Sequence, residues 1–425
     1  MRLVLKVPPD ASILSSTLYE GIAYLLSVAG GEVRPDYIEL PDDAFVRAFR
    51  SVADESGGGL EKYLEIATTG KNDKNSINAI LNSLGIKAQN FWPKKRRGEE
   101  ASKVSYGRLI ATIAELAVSR PEALARSGEI NVSVWFKGKE VVIGLGKPLL
   151  TLALFKSCDR YGSLRVWEFT SISEQVGQRL SLDVALICLL GLYSSYVRRV
   201  GNSNYFLFLD PSEVAEALST SIISGDDASK ILREKMNARN AGKEVIAEFP
   251  EATVIPSAIL ARIALSLRLA RALDERNIEV LRLRLVRVDE EGNIYKVYGD
   301  TPVEARRQPY VKGDLGRSLS EHVSGSSPLM HCVRLFARKS QSQGAARIRL
   351  CEENDHVLKA IDALYRFTAL MDPAALAEYV RHLRDAADAL EALLRSGGDG
   401  GAAGRMRTYR RWVAGLDRAV GELIK

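Results

Sequence analysis

The spacing of apolar residues in the first third of the chain predicts a mixture of strands and helices. Residues 1–7 alternate between apolar and other side chains, which is typical of a strand. From about Ser15 onward the apolar positions recur every three to four residues, which predicts an amphipathic helix. Residues 130–146 alternate on both sides of Gly138 and therefore predict a β-hairpin.

The same patterns predict further strands and helices up to residue 350. The run "YFLFLD" predicts a buried strand, and its last residue, Asp210, together with Pro211 has the residue types that begin a helix. Residues 279–299 predict a second hairpin with "DEEGN" as its turn, and residues 300–327 predict a loop. Helices are predicted over residues 42–52, 59–69, 74–84, 105–126, 181–199, 226–240 and 257–276.

After Asp355 the pattern predicts helices alone. They cover residues 355–371, 373–395 and 405–424, and a Gly-rich segment, "SGGDGGAAG", separates the last two. We therefore predict an α+β fold: a mixed α/β body with β-hairpins in residues 1–350, long enough for two subdomains, and a C-terminal helical bundle in residues 351–425.

The composition is that of an ordinary globular protein. Apolar residues make up 46% and charged residues 26% of the 425 residues, which excludes wholesale disorder. Four cysteines do not form a disulfide framework, and Arg is more frequent than Lys, a weak sign of a thermophile. The sequence has no secretory signal and no uninterrupted apolar run of about 18 residues, so we expect a cytoplasmic protein without membrane contact.

The net charge of +6 is concentrated in two regions. Residues 66–110 contain nine Lys and Arg against three acidic residues, and residues 280–350 contain thirteen against seven. Each region alone has an excess of six positive charges, which equals the net charge of the whole chain, so the remaining residues are together slightly acidic. Such regions are compatible with binding to phosphates but do not require it.

The first region combines cations, amides and aromatic residues. Its simplest interpretation is a solvated loop with Trp92 packed into the core. The alternative, which we favour, is a nucleic-acid contact in which Lys and Arg bind phosphates and the aromatic residues stack on a base or wedge a base step. The candidate residues are Lys71, Lys74, Asn75, Asn78, Phe91, Trp92, Lys94, Lys95, Arg96, Arg97 and Lys103.

The second region is harder to interpret from the sequence. Arg282 and Arg284 are two residues apart on a predicted strand and would share one face. The region is either an amphipathic strand with a polar loop, or a second face of the same nucleic-acid-binding groove, or a docking surface for a partner that carries RNA. Its candidate residues are Arg282, Arg284, Arg306, Arg307 and Lys312.

Catalytic motifs are absent from the sequence. It contains no phosphate-binding loop, no H-E-x-x-H and no G-x-S-x-G, and the acidic pair Asp226 and Asp227 lies at a predicted helix start. One alternative is a zinc site built from the residues His331, Cys332, Cys351 and His356, although their spacing is unlike that of known fingers. We therefore expect no enzyme activity, no cofactor and no metal.

Three stretches resemble one protein family. They are "LVLKVPPDASILSSTLYEGIAYLLSVAGG", "FLFLDPSEVAEALSTSIISGDDASKILREKMN" and "IPSAILARIALSLRLARAL". With the basic, motif-poor body and the helical C-terminus, the chain resembles the large subunit of an archaeal type I-A CRISPR interference (Cascade) complex. The resemblance is one of layout and carries no binding residue over to this chain.

The resemblance implies a non-catalytic subunit of an RNA-guided antiviral surveillance complex. Such a subunit recognises the protospacer-adjacent motif in double-stranded DNA and helps unwind the duplex. Its partners would be crRNA held by the complex, the backbone and small subunits, and the helicase and nuclease that it helps to recruit. Two alternatives remain open: a nuclease or other nucleic-acid enzyme with an unrecognised active site, and a scaffold that binds only protein.

Overall fold

The computed structural model describes residues 1–10, 12–57, 59–60, 64–68, 70–93, 104–137, 140–161, 177–248, 255–291, 294–308, 319, 355–370 and 372–395. Helices and two β-sheets are both present, and the fold is α+β, as predicted.

Helices and strands alternate irregularly along the described part of the chain. The helices are α1 (Ile13–Ala29), α2 (Ala44–Ser56), α3 (Gly70–Ser83), α4 (Ala88–Phe91), α5 (Tyr106–Ser119), α6 (Ala153–Tyr161), α7 (Leu182–Ser195), α8 (Pro211–Ser224), α9 (Ala228–Glu248), α10 (Ile255–Glu275), α11 (Asp355–Leu370) and α12 (Pro373–Arg395). The strands are β1 (Arg2–Lys6), β2 (Glu32–Val33), β3 (Ile38–Glu39), β4 (Glu129–Lys137), β5 (Glu140–Ile143), β6 (Gly177–Leu180), β7 (Tyr196–Val200), β8 (Ser203–Leu209), β9 (Val280–Glu291) and β10 (Ile294–Arg306).

The described residues fall into two compact units. The first lies within Met1–Arg239 and Leu281–Glu304, and the second within Asn240–Val280 and Ala305–Lys425. The predicted boundary between residues 350 and 351 lies outside the described residues.

The first unit contains a six-stranded sheet with the order β2-β3-β1-β4-β5-β6. Strand β1 pairs in parallel with β4, which places Leu3 opposite Ile130, and β4 forms the predicted hairpin with β5. The turn of that hairpin, residues 138 and 139, lies outside the described residues. A parallel pair needs a long crossover, and the helices between residues 13 and 119 provide it.

A four-stranded sheet with the order β10-β9-β8-β7 completes the first unit. The buried strand β8 pairs antiparallel with both β7 and β9. At the end of β8 the Asp210 carboxylate accepts the Ser212 N–H at 2.9 Å, and Pro211 is the first residue of α8. This helix start is the one that the sequence predicts.

Helices α1 and α7 pack with their backbones in close contact. A Cβ added at Gly21 would overlap the Ile187 carbonyl, and one added at Gly191 would overlap the Thr17 carbonyl. Helix α7 is buried on all sides from Val184 onward, so it forms the apolar centre of the unit.

A buried ion pair crosses this core. The guanidinium of Arg239 lies 2.6 Å from the carboxylate of Glu20, and both side chains are almost fully buried. The Ser194 hydroxyl donates to the same carboxylate at 2.7 Å, and the Leu209 N–H donates at 2.9 Å. These hydrogen bonds satisfy a charge that would otherwise be costly to bury.

The described part of the second unit is mainly helical. Helices α11 and α12 pack along each other, and α11 also packs against α10. Residues 355–371 and 373–395 were predicted as helices, and α12 has the predicted bounds. The third predicted C-terminal helix, residues 405–424, lies outside the described residues.

Several predicted segments differ from the structure. The helix predicted over 105–126 ends at Ser119, and a short 3-10 helix follows at Pro121–Ala123. The helix predicted over 181–199 ends at Ser195, and Tyr196–Val200 forms β7 because it pairs with β8. Residues 64–68 are not helical, since Ala67 forms a bridge with Ser105. Strand β10 continues into the predicted loop as far as Arg306.

Candidate nucleic-acid interface

Helix α3 presents two different faces. Asp73, Ile77 and Ile80 are buried, whereas Lys74 and Asn75 are exposed. This split follows the helical period, because residues three to four positions apart lie on one face.

Buried hydrogen bonds hold α3 against its neighbours. The Asp73 carboxylate accepts the Tyr106 hydroxyl at 2.8 Å and the Ala153 N–H at 2.6 Å. Burial, and then the charge of Asp73, hold the pKa of Tyr106 well above its usual range, so the phenol remains a donor. The Ser76 hydroxyl exchanges hydrogen bonds with the Thr151 backbone at 2.9 Å. The exposed face of α3 therefore has a rigid support.

Five residues make contacts with one another and are called the Trp92 cluster: Lys74, Asn78, Phe91, Trp92 and Arg108. Lys74 and Asn78 belong to α3, Phe91 to α4 and Arg108 to α5, and Trp92 is the residue after α4. The indole N–H of Trp92 donates to the Asn78 Oδ1 at 2.7 Å. Phe91 meets the Trp92 ring edge-on, with ring centroids 5.2 Å apart. The indole is fixed by a hydrogen bond on one side and an aromatic contact on another.

Two cations of the cluster lie over aromatic rings. The Lys74 Nζ is 5.5 Å from the centroid of the Trp92 ring, and the Arg108 Cζ is 5.4 Å from that of Phe91. No carboxylate among the described residues pairs with Lys74. A ring attracts a cation without cancelling its charge, so Lys74 contributes a positive potential at this surface.

The structure separates the roles of the two predicted aromatic contacts. Phe91 is 4% exposed and packs against the Trp92 ring, so neither face of its own ring is available for a base to stack on. Trp92 is half-buried. It is more exposed than the core residue of the simplest interpretation and less exposed than a free wedge would be. The carboxamide nitrogen of Asn78 has no partner among the described residues and can donate to an incoming oxygen.

The remaining candidates of the first basic region are not placed by the structure. Lys94, Lys95, Arg96, Arg97 and Lys103 lie outside the described residues, and Lys71 is described only as part of the backbone of α3. The flanks of residues 94–103 are placed. Trp92 lies on one side, and on the other the Thr68 N–H donates to the Val104 carbonyl at 2.7 Å. The described residues Trp92 and Val104, which flank residues 94–103, are therefore both held by hydrogen bonds.

In the second basic region the arginines of β9 lie against carboxylates. Arg282 is 45% exposed, and its guanidinium is 2.9 Å from Glu216 and 3.5 Å from Glu213. The hydrogen bond that Arg282 donates to the Glu216 carboxylate, and then the charge of Glu213, raise the pKa of Arg282. These contacts neutralise the side chain within its own unit.

Arg284 lies on the same side of β9 as Arg282, because the pairing of β8 with β9 has no bulge, but Arg284 is buried whereas Arg282 is exposed. Arg284 is 4% exposed, and its Nε lies 3.3 Å from the Asp300 Oδ1 while its guanidinium also contacts the Asp300 Oδ2 and Ser16. Its role in this structure is to hold β10 and α1 to β9.

The other candidates of this region lie in the second unit or outside the described residues. Arg307 is 3.0 Å from both Asp274 and Glu279, and the hydrogen bonds that it donates to these carboxylates raise its pKa. Arg306 is exposed and has a further interaction within the chain. Lys312 lies outside the described residues.

The acidic pair singled out in the sequence has a structural role. The Asp227 carboxylate accepts the Ser229 N–H at 2.9 Å at the start of α9, and Asp226 is bonded to the Ser224 hydroxyl at 2.7 Å. Both border a cleft of about 540 Å³. Two arginines line that cleft. Arg34 donates to Glu32 and Arg233 donates to the Ser27 carbonyl, so both guanidinium groups have partners close by.

A histidine cluster in the second unit was not predicted from the sequence. Of the four residues considered as an alternative zinc site only His356 is described, and the structure places it beside His382 and Asp385 of α12. The one sequence signal is the spacing of His382 and Asp385, three residues apart on a predicted helix. Their contact with His356 depends on how α11 packs against α12.

Comparisons with known proteins give one relative and no function. No family model matches the chain, and no solved structure matches it. The chain is 26% identical over 392 residues to an uncharacterized protein of Archaeoglobus fulgidus, an alignment that spans 91% of this chain and 93% of that protein. Within the described residues, none of the helices has the length and apolarity needed to cross a membrane.

Proposed function

We propose that this chain is a non-catalytic subunit that binds double-stranded DNA through the Trp92 cluster and the basic run that follows it. The observation that carries the proposal is the placement of Lys74 over the Trp92 ring, directly before that run. Lys74 has no carboxylate partner among the described residues and can bind a phosphate. The fixed indole of Trp92 can stack on a base.

The chemistry of the cluster favours a nucleic acid over a small anion. Lys74 supplies a point charge and Asn78 a neutral donor, both suited to phosphate oxygens. Trp92 adds a flat apolar ring, and stacking of a base on an aromatic side chain stabilises a complex by about 1–3 kcal/mol. A free phosphate ion would make no use of that ring.

The finer role follows from the family resemblance. It would make the chain the large subunit of a type I-A CRISPR complex that recognises the protospacer-adjacent motif and helps to open the duplex. The nearly full-length similarity to an archaeal protein is compatible with that role. Trp92 is then the candidate wedge, with the indole hydrogen bond to Asn78 as its support.

The test uses the full chain and two variants with the same change of charge. In the first, Lys94, Lys95, Arg96 and Arg97 become Ala. In the matched control, Arg34, Arg47, Arg268 and Arg271 become Ala; each of these is exposed and paired with a carboxylate. Binding to a labelled DNA duplex is measured by fluorescence anisotropy at several salt concentrations.

We expect the first variant to lose affinity and to reduce the salt slope by about 3.6, since each of the four lost phosphate contacts removes about 0.9. The control should keep both close to the native values. Equal losses of affinity in the two variants would show that binding depends only on the net charge of the chain. DNA cleavage with Mg²⁺ that a point mutation abolishes would favour an enzyme, and absence of any DNA binding by the chain or its assembly would favour a protein scaffold.

A further inference from the structure

Two histidines and one aspartate converge between α11 and α12. The Asp385 Oδ2 lies 3.5 Å from the Nδ1 of His356 and 3.9 Å from the Nδ1 of His382. The imidazole centroids are 6.0 Å apart, and one ligand atom from each residue lies within 4.8 Å of the other two. All three residues belong to the second unit.

The ring nitrogens that face the carboxylate are inaccessible to solvent. Neither Nδ1 has a hydrogen-bond partner among the described residues. Polar atoms buried in this way are usually satisfied, so two such atoms beside one carboxylate suggest a missing partner between them. A proton can bridge one nitrogen to the carboxylate, but a metal ion can satisfy all three groups at once.

The two distances from Asp385 are close to those in a metal site. Metal bonds of about 2.1 Å at tetrahedral angles hold ligand atoms about 3.4 Å apart. The separations from Asp385 are 3.5 Å and 3.9 Å, and all three ligand atoms lie within 4.8 Å of one another. Because His382 and Asp385 are three residues apart on α12, the helix itself fixes their relative position.

We propose that His356, His382 and Asp385 form a binding site for a divalent transition-metal ion such as Zn²⁺. Imidazole and carboxylate ligands select this class of ion over Mg²⁺ or Ca²⁺, which prefer oxygen ligands alone. Three protein ligands leave a coordination position for water or another group. The site departs from the sequence expectation of no metal.

The side chain of His382 is only 14% exposed and lies beside Asp385 on the same helix. A bound ion would connect α11 to α12 and would therefore stabilise the second unit.

The test measures Zn²⁺ binding to the full chain after removal of metal with a chelator. Titration with Zn²⁺ against a chromophoric competitor should give one equivalent per chain. We expect His382→Gln and Asp385→Asn each to lower the affinity at least about tenfold, the scale on which even supporting residues act. In the native chain Co²⁺ should give visible absorption typical of nitrogen and oxygen ligands, without a thiolate charge-transfer band.

Two controls keep the result interpretable. Asp388→Asn removes an exposed carboxylate from the same helix and should leave binding unchanged. The variant Cys332→Ser with Cys351→Ser should also bind normally, because the proposed site does not use these thiols. Circular dichroism and the thermal midpoint without metal verify that each variant is folded. Loss of binding in the cysteine variant, or native affinity in folded His382→Gln and Asp385→Asn, would overturn the proposal.

Discussion

The two basic regions have the same excess of positive charge in the sequence but differ in the partners of their cations. In the first, Lys74 and Arg108 lie over aromatic rings. In the second, Arg282, Arg284 and Arg307 lie against carboxylates. The net charge of a segment therefore does not by itself describe the charge that is available to a ligand. We propose that the immediate partner of each cation decides whether it can bind a phosphate.

The difference has a physical consequence for DNA binding. A phosphate that approaches Arg282 competes with Glu213 and Glu216, which already lie within 3.5 Å. The gain is then an exchange of one anion for another, and exposed ion pairs are worth only about 0–1 kcal/mol. Lys74 has no such competitor among the described residues, so its full charge is available to release counterions from the duplex.

The largest effect expected from the comparison is on stability. Arg284→Met leaves the Asp300 carboxylate without its bidentate partner, and we expect the free energy of unfolding to fall by about 2–3 kcal/mol. Urea denaturation measures this change, and DNA affinity should stay native. Arg287→Met is the matched control, since that arginine is exposed on the same strand and pairs with Asp289. Equal losses of stability in the two variants would contradict the structural role of Arg284.

The next effect is on DNA affinity. Trp92→Ala removes the indole, and we expect a loss of about 1–3 kcal/mol, roughly 5-fold to 150-fold, at constant salt. Trp92→Phe keeps an aromatic ring but loses the hydrogen bond to Asn78, so its affinity should lie between the two. Anisotropy titrations measure the change. Native affinity in Trp92→Ala would exclude the indole from the interface.

A smaller effect is expected from one charge. Lys74→Gln should reduce the slope of log affinity against log salt by about 1, because one phosphate contact is lost. Lys87→Gln has the same charge change in the same stretch, at an exposed position outside the cluster. If both variants lower the slope equally, the cluster has no special role.

The smallest effect is expected at Arg282, because carboxylates already pair with its guanidinium. Arg282→Gln should change DNA affinity by less than about 0.5 kcal/mol and stability by less than about 1 kcal/mol. A tenfold loss of DNA affinity in this variant would show that the β9–β10 hairpin contacts DNA despite its ion pairs.

Local signals in the sequence predicted much of the fold. Alternation located both hairpins, Asp210 and Pro211 located the start of α8, and Pro373 located the start of α12. The helix predicted through Arg199 failed because its last turn pairs with β8 as a strand, and apolar spacing does not reveal pairing between strands.

The candidate site was predicted less completely, for a related reason. Composition and charge located the region around Trp92, but not the cation–ring contacts that join three segments of the chain. The burial of Arg284 depends on Asp300 and on Ser16, which is 268 residues away. Likewise, His356 meets His382 only through the packing of α11 on α12. Contacts between distant segments have no signal in one sequence.

The most direct test of the central claim compares two double variants in one salt series. The variant Lys74→Gln with Trp92→Ala alters the Trp92 cluster, and Arg282→Gln with Arg287→Gln alters the ion-paired hairpin. Duplex DNA affinity is measured for both and for the native chain. We predict that the first variant loses at least tenfold in affinity and about 1 in salt slope, while the second stays within about twofold of native. Equal behaviour of the two variants, or a larger loss in the second, would contradict the claim that the partners of the cations decide where DNA binds.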